Sequence, residues 1–245
     1  MGIAIGALGC PVVTRPEFHR SIVSFVQRGE RMTVGQERAW DTYWEKMGND
    51  VKSLPEGPLD FTSWFGRSAP VLLEIGSGMG ETTSQLVAAA PELNYVAVEV
   101  YKPGLAQLLL RAEHLGGLDN LRVLRGDAVD LLTDHVAPAS LHGVRIFFPD
   151  PWPKKKHHKR RLVQPEFVAL LASRLEPGGV LHLATDWEHY AEQMLEVCSG
   201  ERLLTNIYDG WAPRPDWRPV TKFEQRAVNE GRVSHDLMFK RNDLT

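Results

Sequence analysis

Four short stretches of the chain carry residues whose types and spacing suit chemistry. The first is Glu74-Ile75-Gly76-Ser77-Gly78-Met79-Gly80, a glycine-rich loop headed by a carboxylate. Glycine in such a loop lets the backbone approach a ligand closely. A dinucleotide fingerprint, Gly-x-Gly-x-x-Gly, would place its third glycine at position 81, where the chain has Glu81. A carboxylate beside that helix N-terminus opposes a pyrophosphate, so the loop argues against a nicotinamide dinucleotide. The second and third stretches are acidic ends of apolar runs, at Glu99 and at Gly126-Asp127-Ala128. The fourth is Phe148-Pro149-Asp150-Pro151-Trp152-Pro153. Its prolines fix their own φ and bias the residues before them to extended backbone, which presents Asp150 on a stiffened turn.

A basic run, Lys154-Lys155-Lys156-His157-His158-Lys159-Arg160-Arg161, begins two residues after Trp152. A charge run is most often a solvated face, or a localisation-like string. Its place behind the Asp150 turn favours another use, a rim whose Lys and Arg contact the phosphates of a polyanion. His157 and His158 would supplement that charge; without a third ligand nearby in the sequence they do not suggest a metal, and none is expected. Each acidic strand end also has a plain explanation as a helix cap, and each glycine turn as a strand end. Their recurrence in order along the chain is what argues for a shared site.

Residues so far apart need a frame to bring them together. Apolar runs bounded by Gly, Asp or Pro occur at "VLLEIG", "NYVAVEV", "LRVLRGD", "VRIFFPD" and "GGVLHLATD", with helix-length segments between most of them. Such alternation predicts an α/β fold with a parallel sheet and helices on both faces. Ligands of these sheets bind at the carboxyl ends of the strands, where the loop, Glu99, Asp127 and Asp150 all fall. The helices carry stop signals, Pro91 after "GETTSQLVAAA" and the pair Gly116 and Gly117 after "KPGLAQLLLRAEHL". Two further strands are expected in "RLLTNIYDG" and "VSHDLMFKR", separated by the Pro- and Trp-rich "WAPRPDWRPVTKFEQ". The stretch from Arg15 to Met47 reads as an extension with some helix, and "SLPEGPLD" marks entry to the main domain. The expected organisation is an arm over residues 1–50, partly helical or flexible, and one domain over 51–245.

At 245 residues, 43% hydrophobic and 24% charged, the chain can bury a full core. Cys10 and Cys198 are the only cysteines and show no paired spacing, so neither a disulfide framework nor structural zinc is expected, and a reducing cytoplasm fits. The opening "MGIAIGALGC" lacks a basic n-region, and Gly6 breaks the myristoylation pattern. No stretch has the apolar length of a membrane span. The net charge of −3 does not exclude a nucleic-acid partner, because binding depends on the local field. Arg28, Arg31 and Arg38 are candidates to extend the basic surface.

The loop pattern Glu-x-Gly-x-Gly-x-Gly at a strand end resembles that of class I S-adenosylmethionine-dependent methyltransferases. With "LEIGSGMGE", "FPDPWPKKKHHKRRL", "TDWEHYAEQM" and "TKFEQRA", the chain from about Leu72 to Arg241 resembles the bacterial tRNA (guanine-N7-)-methyltransferase family. "RGERMTVGQERAW" resembles the arm before that family's domain. The resemblance implies a Rossmann-like fold with a mostly parallel seven-stranded sheet, an antiparallel C-terminal strand and helices on both faces. It implies methyl transfer from S-adenosyl-L-methionine to N7 of a guanine in the tRNA variable loop. Gly76, Gly78 and Gly80 would admit the methionine end of the cofactor and Glu74 its cationic groups. Glu99 would accept from the ribose hydroxyls, Asp127 with the Ala128 backbone would read the adenine, and Asp150 would be both a cofactor contact and the catalytic residue. Lys154, Asp186, Thr221, Lys222, Phe223 and Glu224 match the family's substrate-binding positions. Lys156, His157, His158, Lys159, Arg160 and Arg161 match its RNA-contact segment. The expected partner is tRNA in the cytoplasm, with no membrane and no obligate protein partner; a homodimer is compatible with the sequence.

The chemistry expected of such a site is placement. Guanine N7 has an in-plane lone pair and no proton, so it needs no general base, and Asp150 suits electrostatic stabilisation of the cationic product better than proton abstraction. Carboxylates of Asp186 or Glu224 could accept from the guanine N1 hydrogen and amine if the base leaves its stack. Phe223 and Trp152 are candidates to stack on it, with core packing as the plainer role. Two alternatives stand. Methylation of an exocyclic amine would suit an Asn/Asp-Pro-Pro-aromatic turn, from which this chain departs by lacking the second consecutive proline. A non-catalytic RNA-binding module would have no need of intact acids at 74, 99, 127 and 150.

Overall fold

The first helix opens on a capping box in the computed structural model, which describes residues 23–26 and 29–243 and leaves out the side chains of Lys222 and Phe223. The Thr33 hydroxyl accepts from the Gln36 N–H while the Gln36 side chain accepts from the Thr33 N–H, which starts α1 (Val34–Met47). Strand β1 (Gly48–Asp50) follows, then a 3-10 turn at Val51–Ser53 and the short α2 (Phe61–Phe65), capped by Asp60. The main alternation is β2 (Val71–Ile75), α3 (Glu81–Ala89), β3 (Asn94–Glu99), α4 (Lys102–His114) and β4 (Leu121–Arg125). It continues through α5 (Ala128–Asp130), β5 (Leu141–Phe147), a 3-10 turn at Lys155–Arg160, α6 (Pro165–Arg174) and β6 (Leu175–Thr185). The chain ends with α7 (Glu188–Ser199), β7 (Leu204–Asn206), α8 (Lys222–Asn229) and β8 (His235–Arg241).

The sheet order is β1-β4-β3-β2-β5-β6-β8-β7. Pairings from β1 through β6 are parallel, and β8 runs antiparallel to both β6 and β7. All seven expected strands are present, and β1 adds an eighth. Its three residues, Gly-Asn-Asp, have no apolar pattern, so only pairing with β4 makes them a strand. From β2 the chain winds outward through β3 and β4, then returns to β5 on the other side of β2. The topological switch therefore lies between β2 and β5, where such folds open a binding crevice.

Both faces of the sheet are covered. One face carries Leu73, Val96, Val144, Ile146, Leu181 and Leu237 under α5, α6 and α7. The other carries Leu72, Tyr95, Ala97 and Val123 under α1, α3 and α4. Continuous burial of β2 is what a strand covered on both sides requires. The arm's helix is fixed to this body: Arg38 donates to Glu113 on α4 (2.7 Å), as does the Tyr43 hydroxyl (2.9 Å). Those bonds, Arg38 first, pull the Glu113 carboxyl down to about 2. Arg38 is exposed, as expected of a surface residue, with its charge paired to Glu113. Arg31 is exposed, while Arg28 and Cys10 lie outside the described residues. Cys198 is buried.

Candidate active site

The glycine loop links β2 to α3, and helix α4 presses on it from the side. Gly76, Gly78 and Gly80 all have positive φ (81°, 55° and 68°). A Cβ on Gly104 of α4 would fall 2.3 Å from the Gly78 carbonyl oxygen, so the helix packs there only as glycine. Arg111 of α4 donates to the Met79 carbonyl (3.1 Å). In contrast, a Cβ on Gly76 or Gly78 would meet nothing within 4 Å: the loop is held from one side and open on the other. Ser77 supplies a buried hydroxyl without a hydrogen-bond partner among the described residues.

Three of the four expected acids are locked by local bonds. Glu74 is only 3% exposed; its two oxygens accept from the Thr83 hydroxyl (2.9 Å) and the Tyr95 hydroxyl (2.8 Å), and the Tyr95 hydroxyl oxygen in turn accepts from Arg145 (3.1 Å). Burial raises its pKa, opposed by the Tyr95 and Thr83 bonds and by Arg145. Both Glu74 oxygens are taken by protein groups, so it braces the loop from beneath by tying β2 to the first turn of α3. Glu99 accepts from Gly78 N (2.9 Å), Val100 N (2.7 Å) and Tyr101 N (3.0 Å), which joins the loops after β2 and β3. One oxygen of Asp127 caps α5 by accepting from Val129 N (2.9 Å), beside the buried Ala128. A carboxylate at each strand end, with backbone donors fixing its orientation, leaves defined acceptor directions for hydroxyl and amino groups.

Asp150 differs, being exposed at the end of β5 with no hydrogen bond or ion pair to its carboxylate among the described residues. Its turn is strained on both flanks, with φ of 50° at Phe148 and 45° at Trp152. Non-glycine residues rarely adopt such angles, and they cluster where surrounding structure imposes them. The Phe148 N–H donates to Ala184 of β6 (2.7 Å), and the Trp152 indole N–H donates to the Ser24 carbonyl (3.1 Å). The Trp152 ring lies edge-on to His157 and against the Arg160 guanidinium (4.8 Å), so it is occupied within the turn.

The basic run forms the 3-10 turn, with Lys154, Lys155, Lys156 and Lys159 exposed and Arg160 half-buried. His157 and His158 have lowered pKa values, from desolvation first and then from surrounding positive charge, so they add little charge at neutral pH. Arg161 requires a correction. Expected among the RNA contacts, it is 0% exposed, with its guanidinium turned inward to the Pro151 carbonyl and to α7, where no phosphate reaches.

The remaining substrate positions gather around a buried charge network that the sequence reading missed. Thr221 caps α8, its hydroxyl accepting from Glu224 N (2.9 Å). The Glu224 carboxylate accepts from both terminal nitrogens of Arg218 (2.8 and 3.0 Å), and Arg214 lies 3.1 Å away. Arg218, also 0% exposed, donates twice to Asp236 of β8 (2.9 and 2.8 Å), which His182 of β6 approaches at 2.7 Å. Burial opposes the charge of Arg218, and the bonds to Glu224 and Asp236 outweigh it, leaving its pKa raised. Asp186 accepts from Arg232 (2.8 Å). Trp217 is 48% exposed and lies against Arg145 (4.4 Å) and edge-on to His182, an aromatic beside the cluster that no motif indicated. Arg218 stands 6 residues from Glu224 and 18 from Asp236 in the chain, so no local spacing announces the cluster. The side chains of Lys222 and Phe223 lie outside the described residues. Among those described, no cluster of three or more His, Cys, Asp or Glu could hold a metal ion.

A parallel sheet that reverses beside β2 and closes with an antiparallel strand next to β6 is the fold of class I S-adenosylmethionine-dependent methyltransferases. Among solved structures it is shared with the 16S rRNA methyltransferase KamB, 15% identical at a TM-score of 0.57, over 78% of this chain and 97% of that one. It is shared too with a 30S ribosomal A1408 methyltransferase from an uncultured bacterium, 11% identical at a TM-score of 0.55, over 77% and 100%. At such identities the likeness concerns the fold alone. Residues 68–237 match the model of a family described as "Putative methyltransferase". The tRNA (guanine-N(7)-)-methyltransferase of Bordetella pertussis is 54% identical over 220 residues, 90% of this chain and 85% of that protein. The protein of the same description from Aromatoleum aromaticum is 50% identical over 242 residues, 97% and 92%. The chain belongs to the tRNA (guanine-N(7)-)-methyltransferase family.

Proposed function

We propose that this protein methylates N7 of a guanine in the variable loop of tRNA, with S-adenosyl-L-methionine as methyl donor, in the cytoplasm and without an obligate protein partner. The observation that carries the reading is the junction at the end of β5: a strained, proline-bounded turn presents Asp150 beside the topological switch, and exposed lysines follow it at once. The donor fits the residues present. The open side of Gly76 and Gly78, the unpartnered Ser77 hydroxyl and the oriented acids Glu99 and Asp127 would hold it, with Glu74 bracing the loop. When bound, it supplies a methyl group on a sulfonium centre.

The chain's own residues then do the placing. Lys154, Lys156, Lys159 and Arg160 hold tRNA phosphates on the rim and set its orientation. The target guanine leaves its stack and enters the site at Asp150, with Asp186 at the end of β6 and the segment Thr221-Lys222-Phe223-Glu224 as the other substrate-binding positions. Proximity and alignment supply most of the acceleration, since N7 carries no proton to remove. Asp150, fixed near a purine that becomes cationic, stabilises that charge as it develops. Residues 51–245 carry this chemistry, after an arm of residues 1–50 whose α1 and β1 pack on that domain. Incubation of unmodified tRNA with methyl-labelled donor, followed by nucleoside analysis, tests the reading. Label in N7-methylguanosine is expected; label in any other nucleoside overturns it.

A further inference from the structure

We infer that Arg161 is a positioning residue for methyl transfer, holding the Asp150 turn from behind, an inference that rests on the role of Asp150 proposed above. The Asp150 carboxylate has no side-chain tether among the described residues, so its place is inherited from the backbone on either side. That backbone has few means of holding itself. Pro149, Pro151 and Pro153 have no N–H to donate, and both Phe148 and Trp152 sit at left-handed φ. Such a conformation persists only where its surroundings over-determine it.

The residue next after Asp150 offers one polar handle, the Pro151 carbonyl, and Arg161 Nε donates to it at 2.8 Å. The other edge of the guanidinium is anchored on α7, where Nη1 donates to Gln193 Oε1 (2.6 Å) and faces His189 Nδ1 (3.3 Å), above the Tyr190 ring at 4.7 Å. Gln193 in turn donates to the Val163 carbonyl (3.0 Å), and the Tyr190 hydroxyl accepts from Val163 N (3.1 Å). The planar fork therefore bridges α7, which packs inward through Tyr190, Ala191, Met194 and Cys198, to the carbonyl beside the Asp150 carboxylate. A lysine keeps the charge but lacks the two-sided fork.

Charge conservation makes Arg161→Lys the discriminating variant. Single-turnover rates with saturating tRNA are measured for Arg161→Lys, Asp150→Ala and the double variant, with tRNA KM and the salt dependence of tRNA binding. Arg161→Lys is expected to slow methyl transfer by about 10- to 100-fold, as a small misplacement of a reacting group does. The tRNA KM and the slope of log K against log salt should stay at wild-type values, because a buried group contacts no phosphate. In the Asp150→Ala background the lysine should cost little more, since both changes remove the same contribution. A wild-type rate in Arg161→Lys, losses that multiply in the double variant, or a raised tRNA KM with an unchanged rate would overturn the inference. Where Arg161→Lys does not fold, Gln193→Leu removes the α7 anchor; a slower rate at unchanged tRNA KM supports the inference and an unchanged rate overturns it. If Asp150→Ala alone kept the wild-type rate, the proposed role of Asp150 would fall and this inference with it. A crippled Asp150→Ala beside an unimpaired Arg161→Lys would remove this inference alone.

Discussion

At the scale of single residues, four carboxylates at successive strand ends do different work because their surroundings differ. Glu74 is buried and bonded on both oxygens; Glu99 is aimed by three backbone N–H groups; Asp127 caps a helix with one oxygen; Asp150 stands open on its turn. If Asp150 acts by its charge, the amide of equal shape should retain binding and lose rate. Asp150→Asn is expected to lower kcat by about 100-fold, the order seen when one electrostatic stabiliser is removed, with the tRNA dissociation constant unchanged. Rapid-quench kinetics and filter binding check the two halves separately.

At the scale of elements, the loop after β2 is shaped by what packs behind it. Gly104 gives α4 room to sit on the Gly78 carbonyl, and any Cβ there must displace one of the two. Gly104→Ala should weaken donor binding by about tenfold or more, the cost of a misfit of about 1.4 kcal/mol, while tRNA affinity holds; calorimetry with the donor measures it. On the opposite side of α4, Arg38 and Tyr43 clamp Glu113 and bring its pKa from 4.5 to about 2. A lowered carboxylate pKa contributes stability that is present above the unfolded value and is lost as pH falls through the folded one. Wild-type protein should therefore lose stability between pH 4.5 and about 2, and Glu113→Gln should flatten that part of the acid-unfolding curve followed by circular dichroism.

At the scale of the whole molecule, a net charge of −3 coexists with a polyanionic partner because Lys154, Lys155, Lys156, Lys159 and Arg160 lie together on one rim. Neutralising Lys155, Lys156, Lys159 and Arg160 together should weaken tRNA binding and flatten its salt dependence, by about 0.7–0.9 units of slope per lost phosphate contact. An unchanged slope would make the run a solvated face. The strand ends and the Asp150 turn were legible in the sequence because they are local: apolar runs, prolines and acids at fixed offsets. Strand β1 was not, since Gly48, Asn49 and Asp50 carry no pattern and become a strand only through β4. Arg161 read as a phosphate contact for the opposite reason: local charge density is visible in a sequence, whereas the inward turn to Pro151 and Gln193 is set by tertiary packing. The Arg218 cluster joins β6, β8 and α8, a contact between elements distant along the chain.

The central claim is that one purine nitrogen, in one region of tRNA, receives the methyl group. N7-methylguanosine, unlike unmodified guanosine, is open to borohydride reduction and aniline scission, so the modified position can be mapped on an end-labelled, previously unmodified tRNA treated with the protein and donor. The account predicts a single donor-dependent cut at a guanine of the variable loop. Cuts elsewhere, or methyl incorporation with no cut at all, would contradict it.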